Sequence, residues 1–257
     1  MAALLDQALL NQDRKKTDVI GIPVDFLAYE DLETRVKGFL ADQKKHHIIF
    51  VSLCDIVMAK FKRELKSSIE RASLVLPTSS YICSGAKFLG RFYIPQKIYT
   101  FEFIIKLLGA IENNGKSVYL LGGKQKVLRI TESNIKSSFP GLTIVGRCTG
   151  FFPKDMEKNI VTAIKKASPA LILAGSGLPG KRYWITRNSP MFNPCISLWV
   201  NNAFDIFAGK KAKPPKTASG IFWERVGRFF LNPLRIFNVF VYILYFILLL
   251  YYKIRKL

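Results

Sequence analysis

From Thr17 to Gly209, short apolar runs alternate with longer amphipathic segments, and this rhythm restricts the fold more than any other feature of the chain. The runs predict strands at Asp18–Pro23, His47–Leu53, Ser73–Leu76, Ser117–Leu121, Leu142–Gly146, Ala170–Ala174 and Ile196–Val200. Between them, helices are predicted at Ala28–Asp42, Asp55–Arg71, Phe101–Asn113, Gln125–Ser138 and Lys154–Lys166. Ile56, Met58–Ala59, Phe61, Leu65 and Ile69, for example, recur at helical spacing. Strand–helix alternation of this kind builds an α/β, Rossmann-like fold: a mostly parallel sheet with helices on both faces. Ligands of such sheets bind at the carboxyl ends of the strands, so the loops that follow strands deserve the closest reading.

The chain has 257 residues, enough for one large or two small domains. Its composition changes after Gly209, which suggests five parts: an N-terminal tail over 1–17, the α/β domain over 18–209, a basic appendage over 210–235, an apolar helix over 236–252 and a basic tail over 253–257. With 39 basic against 18 acidic residues, the net charge of +21 calls for an anionic partner. The lysines are dispersed and no aromatic–glycine signature of an RNA-recognition sheet accompanies them, which disfavours nucleic acid. Cys54, Cys83, Cys148 and Cys195 are scattered, with no C-x-x-C pair and only His46 and His47 to join them. Reduced core thiols are therefore expected, rather than a zinc site or a disulfide framework. The first residues, MAALLDQALLNQDRKK, lack the pattern of a signal peptide, so the folded part is expected in the cytoplasm.

The stretch IFNVFVYILYFILLLYY, Ile236 to Tyr252, has seventeen residues, of which only Asn238 is strongly polar. As a helix it would be about 26 Å long, slightly short of a hydrocarbon core. Being apolar all round, it lacks the polar face of a surface-lying helix, and its tyrosines suit an interface. Membrane attachment is expected, whether by spanning or by embedding in one leaflet; a buried core helix or an oligomer contact is the competing reading.

Residues 174–184, AGSGLPGKRYW, place Gly175, Gly180 and Lys181 at the spacing of a Walker A phosphate loop. That loop needs Ser or Thr after the lysine to hold magnesium, and Arg182 stands there. Pro179 removes a backbone donor where phosphate would be cradled. A nucleoside triphosphatase is disfavoured on both counts.

Several short motifs, in order, resemble the WecG/TagA/CpsF family of bacterial glycosyltransferases from about Asp18 to Arg235. Gly177, Pro179 and Trp184 match the family's GxPxQExW element; YLLGG (Tyr119–Gly123), FPGLTIVGRCTGFF (Phe139–Phe152) and NNAFDIFAG (Asn201–Gly209) match others. WERVGRFFLNPLR resembles LEWxxRxxxxPxR, with Glu224, Arg228, Pro233 and Arg235 in register. The resemblance implies an inverting transferase; no Asp-x-Asp motif of the common metal-dependent transferases appears, so a metal-independent enzyme without a cofactor is expected. It would move an N-acetylhexosamine-type sugar from a UDP-sugar to a polyprenyl-diphosphate-linked acceptor in cell-surface polysaccharide synthesis. It further implies the cytoplasmic face of the cell membrane, contact with membrane lipid and self-association into a homo-oligomer. Ser52, Cys54, Gly122, Gly123, Gly177, Pro179, Lys181, Lys213, Arg228 and Arg235 fall at positions that the resemblance assigns to substrate binding. Arg228 and Arg235 would close over the diphosphate, for which the planar guanidinium is suited.

The departures from the family fall where its chemistry lies. Its proposed base, the aspartate of a PDG element, is Thr78 here, and a threonine hydroxyl cannot serve as a general base near pH 7. Its TxN becomes Ser52–Leu53–Cys54, its Gln-Glu pair becomes Lys181–Arg182, and its RAP becomes KPP from Lys213. Two readings follow. Either another carboxylate, Asp55, Asp205 or Glu224, has taken over, or the chain is a degenerate homologue that binds nucleotide sugar or lipid carrier without turnover. Asp205 also has a plain structural alternative, the capping of a helix or turn.

Overall fold

The computed structural model describes residues 16–90, 97–212 and 236–255. Its centre is a six-stranded parallel sheet in the order β4-β3-β8-β7-β5-β6. The strands are β3 (His46–Val51), β4 (Leu74–Pro77), β5 (Ser117–Leu121), β6 (Thr143–Cys148), β7 (Leu171–Gly175) and β8 (Ile196–Asn201). The run expected as one strand at Asp18–Pro23 is instead an antiparallel hairpin, β1 (Lys16–Val19) and β2 (Ile22–Asp25). Ile20 and Gly21, at φ 50° and 75°, reverse the chain between them in the manner of a tight two-residue turn.

Helices cover both faces because neighbouring residues of each strand point opposite ways. Ile48, Val118, Leu171 and Leu198 face a core with α1 (Tyr29–Ala41), α5 (Thr100–Asn113), α6 (Gln125–Ser138) and α9 (Ala203–Phe207). Ile49, Val51 and Val75 face the other side, where the hairpin, α2 (Leu53–Met58), α3 (Arg63–Glu70) and α4 (Ser80–Phe88) pack. Further along that side, Tyr119, Leu121 and Ile172 meet α7 (Glu157–Ala167) and α8 (Tyr183–Asn188). The Asp25 carboxylate accepts from the Val75 N–H at 2.7 Å, which satisfies a donor of the edge strand β4 and ties the hairpin to it. The helix expected over Asp55–Arg71 is broken at Ala59–Lys62 into α2 and α3, and α4 lies where none was predicted.

The C-terminal expectation needs correction. Among the described residues no helix is long and apolar enough to cross a membrane. The last helix, α10 (Ile236–Ile254), lies against the domain instead. Tyr245 and Leu249 are buried in the same cluster as α2 and α4, and Val241, Leu244, Leu248 and Tyr252 pack beside them. The Tyr245 hydroxyl donates to the Tyr81 carbonyl, and the Lys60 ammonium donates to the Tyr252 hydroxyl at 2.6 Å. Protein thus covers one side of this helix, as the competing reading of a core contact had it. The thiol expectation also changes in part: all four cysteines are free, but Cys54 is exposed.

Candidate functional site

The loops at the carboxyl ends of the strands fall into two groups. The first follows β5, β6 and β7, and it is closed by backbone. Gly122 N–H donates to Cys148 O at 2.7 Å, Gly123 N–H to Ser176 O at 2.6 Å, Gly150 N–H to Gly123 O at 2.9 Å and Phe151 N–H to Gly177 O at 2.6 Å. A Cβ on Gly122 would lie 2.9 Å from Gly175 and Ser176 backbone atoms, and one on Gly150 would lie 2.5 Å from Ser176 O. Gly122 also holds φ at 103°, which a side chain rarely tolerates. These glycines let three loops interlock, so the donors of Gly122 and Gly123 are already committed within the protein. The glycines of AGSGLPGK belong to the same knot: Gly175 sits under the Phe204 ring and Gly177 under Phe151. Lys181 is exposed at φ 55° on the following turn.

The second group follows β3, β4 and β7, and it is joined by side chains. Ser52 caps α2: the Asp55 N–H donates to Ser52 Oγ at 3.2 Å, and the Ser52 N–H and hydroxyl donate to Asp55 Oδ2 at 2.9 and 2.8 Å. The other carboxylate oxygen, Oδ1, accepts from Arg182 Nη2, which reaches over from the start of α8. Only 13% of the Asp55 side chain and 29% of the Arg182 side chain remain exposed, so the pair is weakly screened. Burial opposes the charge on Arg182, but the bond to Asp55 and its field outweigh it and hold the guanidinium more firmly protonated than free arginine. Beside them, although Cys54 is exposed as a residue, partial desolvation of its thiol and then the Asp55 charge push that thiol up, against the smaller pull of Arg182 and Lys62, so it stays protonated at neutral pH. Thr78, at the end of β4, donates to Val51 O through both its N–H (3.0 Å) and its hydroxyl (3.1 Å). A carboxylate at this position could not donate that second bond. Thr78 and Asp55 are therefore joined through the adjacent residues Val51 and Ser52.

The remaining candidates lie elsewhere. Asp205 sits in α9 on the opposite face of the sheet, where its carboxylate is 3.7 Å from Lys211 Nζ and its carbonyl accepts from the N–H groups of Lys210 and Lys211. Pro179 is partly buried in the β7–α8 loop. Lys213, Glu224, Arg228 and Arg235 lie outside the described residues. The meeting of Asp55 with Arg182 was not visible in the sequence, since 127 positions separate them; Arg182 had counted only as a departure from a motif.

The comparisons with known proteins bear on the same loops. The model of the glycosyl transferase WecG/TagA/CpsF family matches residues 17–257. Among curated proteins, the chain is similar to the N-acetylglucosaminyldiphosphoundecaprenol N-acetyl-beta-D-mannosaminyltransferase of Bacillus spizizenii, with 23% identity over 219 residues, 83% of this chain and 84% of that protein. The protein of the same name from Bacillus subtilis is 24% identical over 196 residues, 76% of this chain and 75% of its own length. That of Staphylococcus aureus is 20% identical over 236 residues, covering 87% and 92%. The match takes in the hairpin, every strand of the sheet and both groups of loops, and this chain belongs to the WecG/TagA/CpsF family of glycosyl transferases.

Proposed function

We propose that the chain transfers an N-acetylhexosamine from a UDP-sugar to a sugar carried on a polyprenyl diphosphate, at the membrane surface where that acceptor is anchored. Support comes from the family match over residues 17–257 and from the names of the three relatives, each an N-acetylmannosaminyltransferase acting on N-acetylglucosaminyldiphosphoundecaprenol. The observation that carries the reading for this chain is the convergence of Ser52, Asp55, Thr78 and Arg182 at one end of the sheet.

In an inverting transfer, a base takes the proton of the acceptor hydroxyl as its oxygen attacks the anomeric carbon, and the bond to UDP breaks on the opposite side. Thr78 holds its place in the β4 turn by donating to Val51 O, and Asp55 is the carboxylate linked to it through Val51 and Ser52. Asp55 is the base in this proposal. Its Oδ1 becomes free when Arg182 turns to the diphosphate of the donor, so one movement supplies both the base and a countercharge for the leaving group. Lys181, Lys213, Arg228 and Arg235 add positive charge around the diphosphate, and Ser52, Cys54, Gly177 and Pro179 line the sugar side. Asp205 and the amides of Gly122 and Gly123 stabilise the scaffold.

A second reading has its own observation. Both Asp55 oxygens are engaged, by Ser52 and by Arg182, which is the state expected of a homologue that binds nucleotide sugar without turnover. Purified full-length protein incubated with UDP-N-acetylhexosamines and prenyl-diphosphate-linked GlcNAc separates the two. UDP release that depends on the acceptor supports the transferase; saturable UDP binding without release supports the second reading.

A further inference from the structure

We propose that Thr186 is a positioning residue for the transfer: it holds α8 so that Arg182 reaches Asp55, and then the donor diphosphate, from one fixed point. The helix has only six residues, Tyr183–Asn188, and no side chain caps its start. So short a helix does not hold itself, and its neighbours decide where it lies. Trp184 and Ile185 are buried in the cluster beneath it, but apolar packing alone has little directional preference. On one flank, Arg187 and Asn188 reach Glu157 of α7 at 3.2 and 3.0 Å. On the other flank stand Arg182, itself in helical conformation, and Thr186, one turn further along.

The Thr186 hydroxyl lies 2.8 Å from Ser68 Oγ of α3 and 3.5 Å from His47 Nε2 near the start of β3. On the adjacent strand, Ser197 Oγ of β8 is 3.0 Å from His47 Nδ1, and its hydroxyl donates to His46 O at 3.1 Å. That last bond sets the direction of the others. Ser197 Oγ has used its hydrogen, so it accepts from His47 Nδ1–H. Nε2 of the neutral ring then accepts from Thr186, and Thr186 Oγ1 accepts from Ser68. Burial keeps the ring neutral. Ser68 and Ser197 are each 2% exposed, so the chain of hydroxyls runs inside the protein from α3 to β8. Such bonds add little net stability, but a fully satisfied buried chain permits one arrangement of the elements it joins. β3 therefore grips α8 twice, through His47 near its start and through Ser52 and Asp55 just past its end. When Arg182 leaves Asp55, the grip on Thr186 remains. The proposal rests on the role of Arg182 at the diphosphate, but it is tested by UDP binding, which does not require transfer.

The full-length chain is titrated with UDP by calorimetry, and transfer from UDP-N-acetylhexosamines to prenyl-diphosphate-linked GlcNAc is followed in parallel. Thr186→Val keeps the shape of the side chain and removes the hydroxyl. It is expected to weaken UDP binding about fivefold and to lower kcat about tenfold, because Arg182 no longer starts from the right place. Thr186→Ser restores the hydroxyl and is expected to stay within about twofold of the unmodified chain in both. In an Arg182→Ala background, Thr186→Val is expected to change neither value further, since the group that it places is gone. A role in stability alone would lower the urea midpoint with UDP affinity unchanged, or would act equally in both backgrounds; either result overturns the proposal. So does unchanged UDP affinity in Arg182→Ala itself. Should Thr186→Val fail to fold, Ser68→Ala removes the outer end of the chain and is read in the same way. Absence of transfer by the unmodified chain would refute the transferase reading and leave the UDP titrations to decide this one. A chain that binds no UDP would overturn both.

Discussion

The two groups of loops at the carboxyl end of the sheet solve the same problem by different means. After β5, β6 and β7, glycine backbones cross within hydrogen-bonding distance of one another, and no side chain fits. After β3, β4 and β7, Ser52, Asp55, Thr78 and Arg182 make the joins with replaceable polar groups. The first rim can change only by losing the fold. The second can exchange a hydroxyl for a carboxylate, or a carboxylate for a guanidinium, while keeping the strands in place. Of the departures of this chain from its family's motifs, those at Thr78, Cys54 and Arg182 fall on the second rim.

The largest expected effect attacks the first rim. Gly122→Val, which adds strain at φ 103° to a clash with Gly175 and Ser176, should cost about 3 kcal/mol or more. Urea unfolding, or failure to recover soluble protein, reads it. A loss below about 1 kcal/mol would mean that the glycine knot is not the restraint described.

Next comes the far end of β3, which both rims depend on through the sheet. Burial pushes the His47 imidazole down to about 4 from its ordinary 6.5, against the hydrogen bond to Ser197 O that favours its charge. The unfolded chain therefore binds the proton more readily than the folded one. Stability should be constant above about pH 6.5 and fall as the pH drops toward 4, by about 2 kcal/mol after allowing for the ring's partial exposure. Replacing His47→Gln should flatten the urea midpoint over that window. An unchanged pH profile in the variant would assign the loss to other groups.

Side-chain joins should cost less than backbone joins. Arg182→Ala leaves Asp55 partly buried without its cation, and is expected to cost about 1–2 kcal/mol. Combined with Asp55→Asn, the losses should fall short of their sum by about 1 kcal/mol, because either change alone already removes the pair. Smallest of all, Thr78→Val removes one bond to Val51 O, for about 1 kcal/mol or less.

The strands of the sheet were legible because each is a compact apolar run flanked by breaks, as at Ala170–Ala174. The hairpin was not, since Ile20–Gly21 lacks the Asn-Gly or Asp-Gly signal and a β-branched residue seldom takes φ near 50°. The helix α4 hid in SSYICSG, whose serines and glycine read as loop. Gly85 makes sense only once Tyr245, 160 positions away, is seen against it. The apolar tail was read as a membrane attachment, with a buried core helix as the alternative, because periodicity cannot tell a helix covered by protein on one side from one covered on neither. On the second rim, motif comparison singled out Thr78 as the position of the family's proposed base. Asp55 was already one of three candidate carboxylates; its pairing with Arg182, 127 positions away, became evident only on folding.

The most direct test of this account measures transfer to a prenyl-diphosphate-linked acceptor by the unmodified chain, by Asp55→Asn and by Thr78→Val, with UDP released as the readout. Loss of a catalytic base should slow Asp55→Asn at least about a hundredfold, while Thr78→Val falls less than about threefold, in keeping with one lost structural bond. Equal rates for Asp55→Asn and the unmodified chain, or a collapse confined to Thr78→Val, would contradict it.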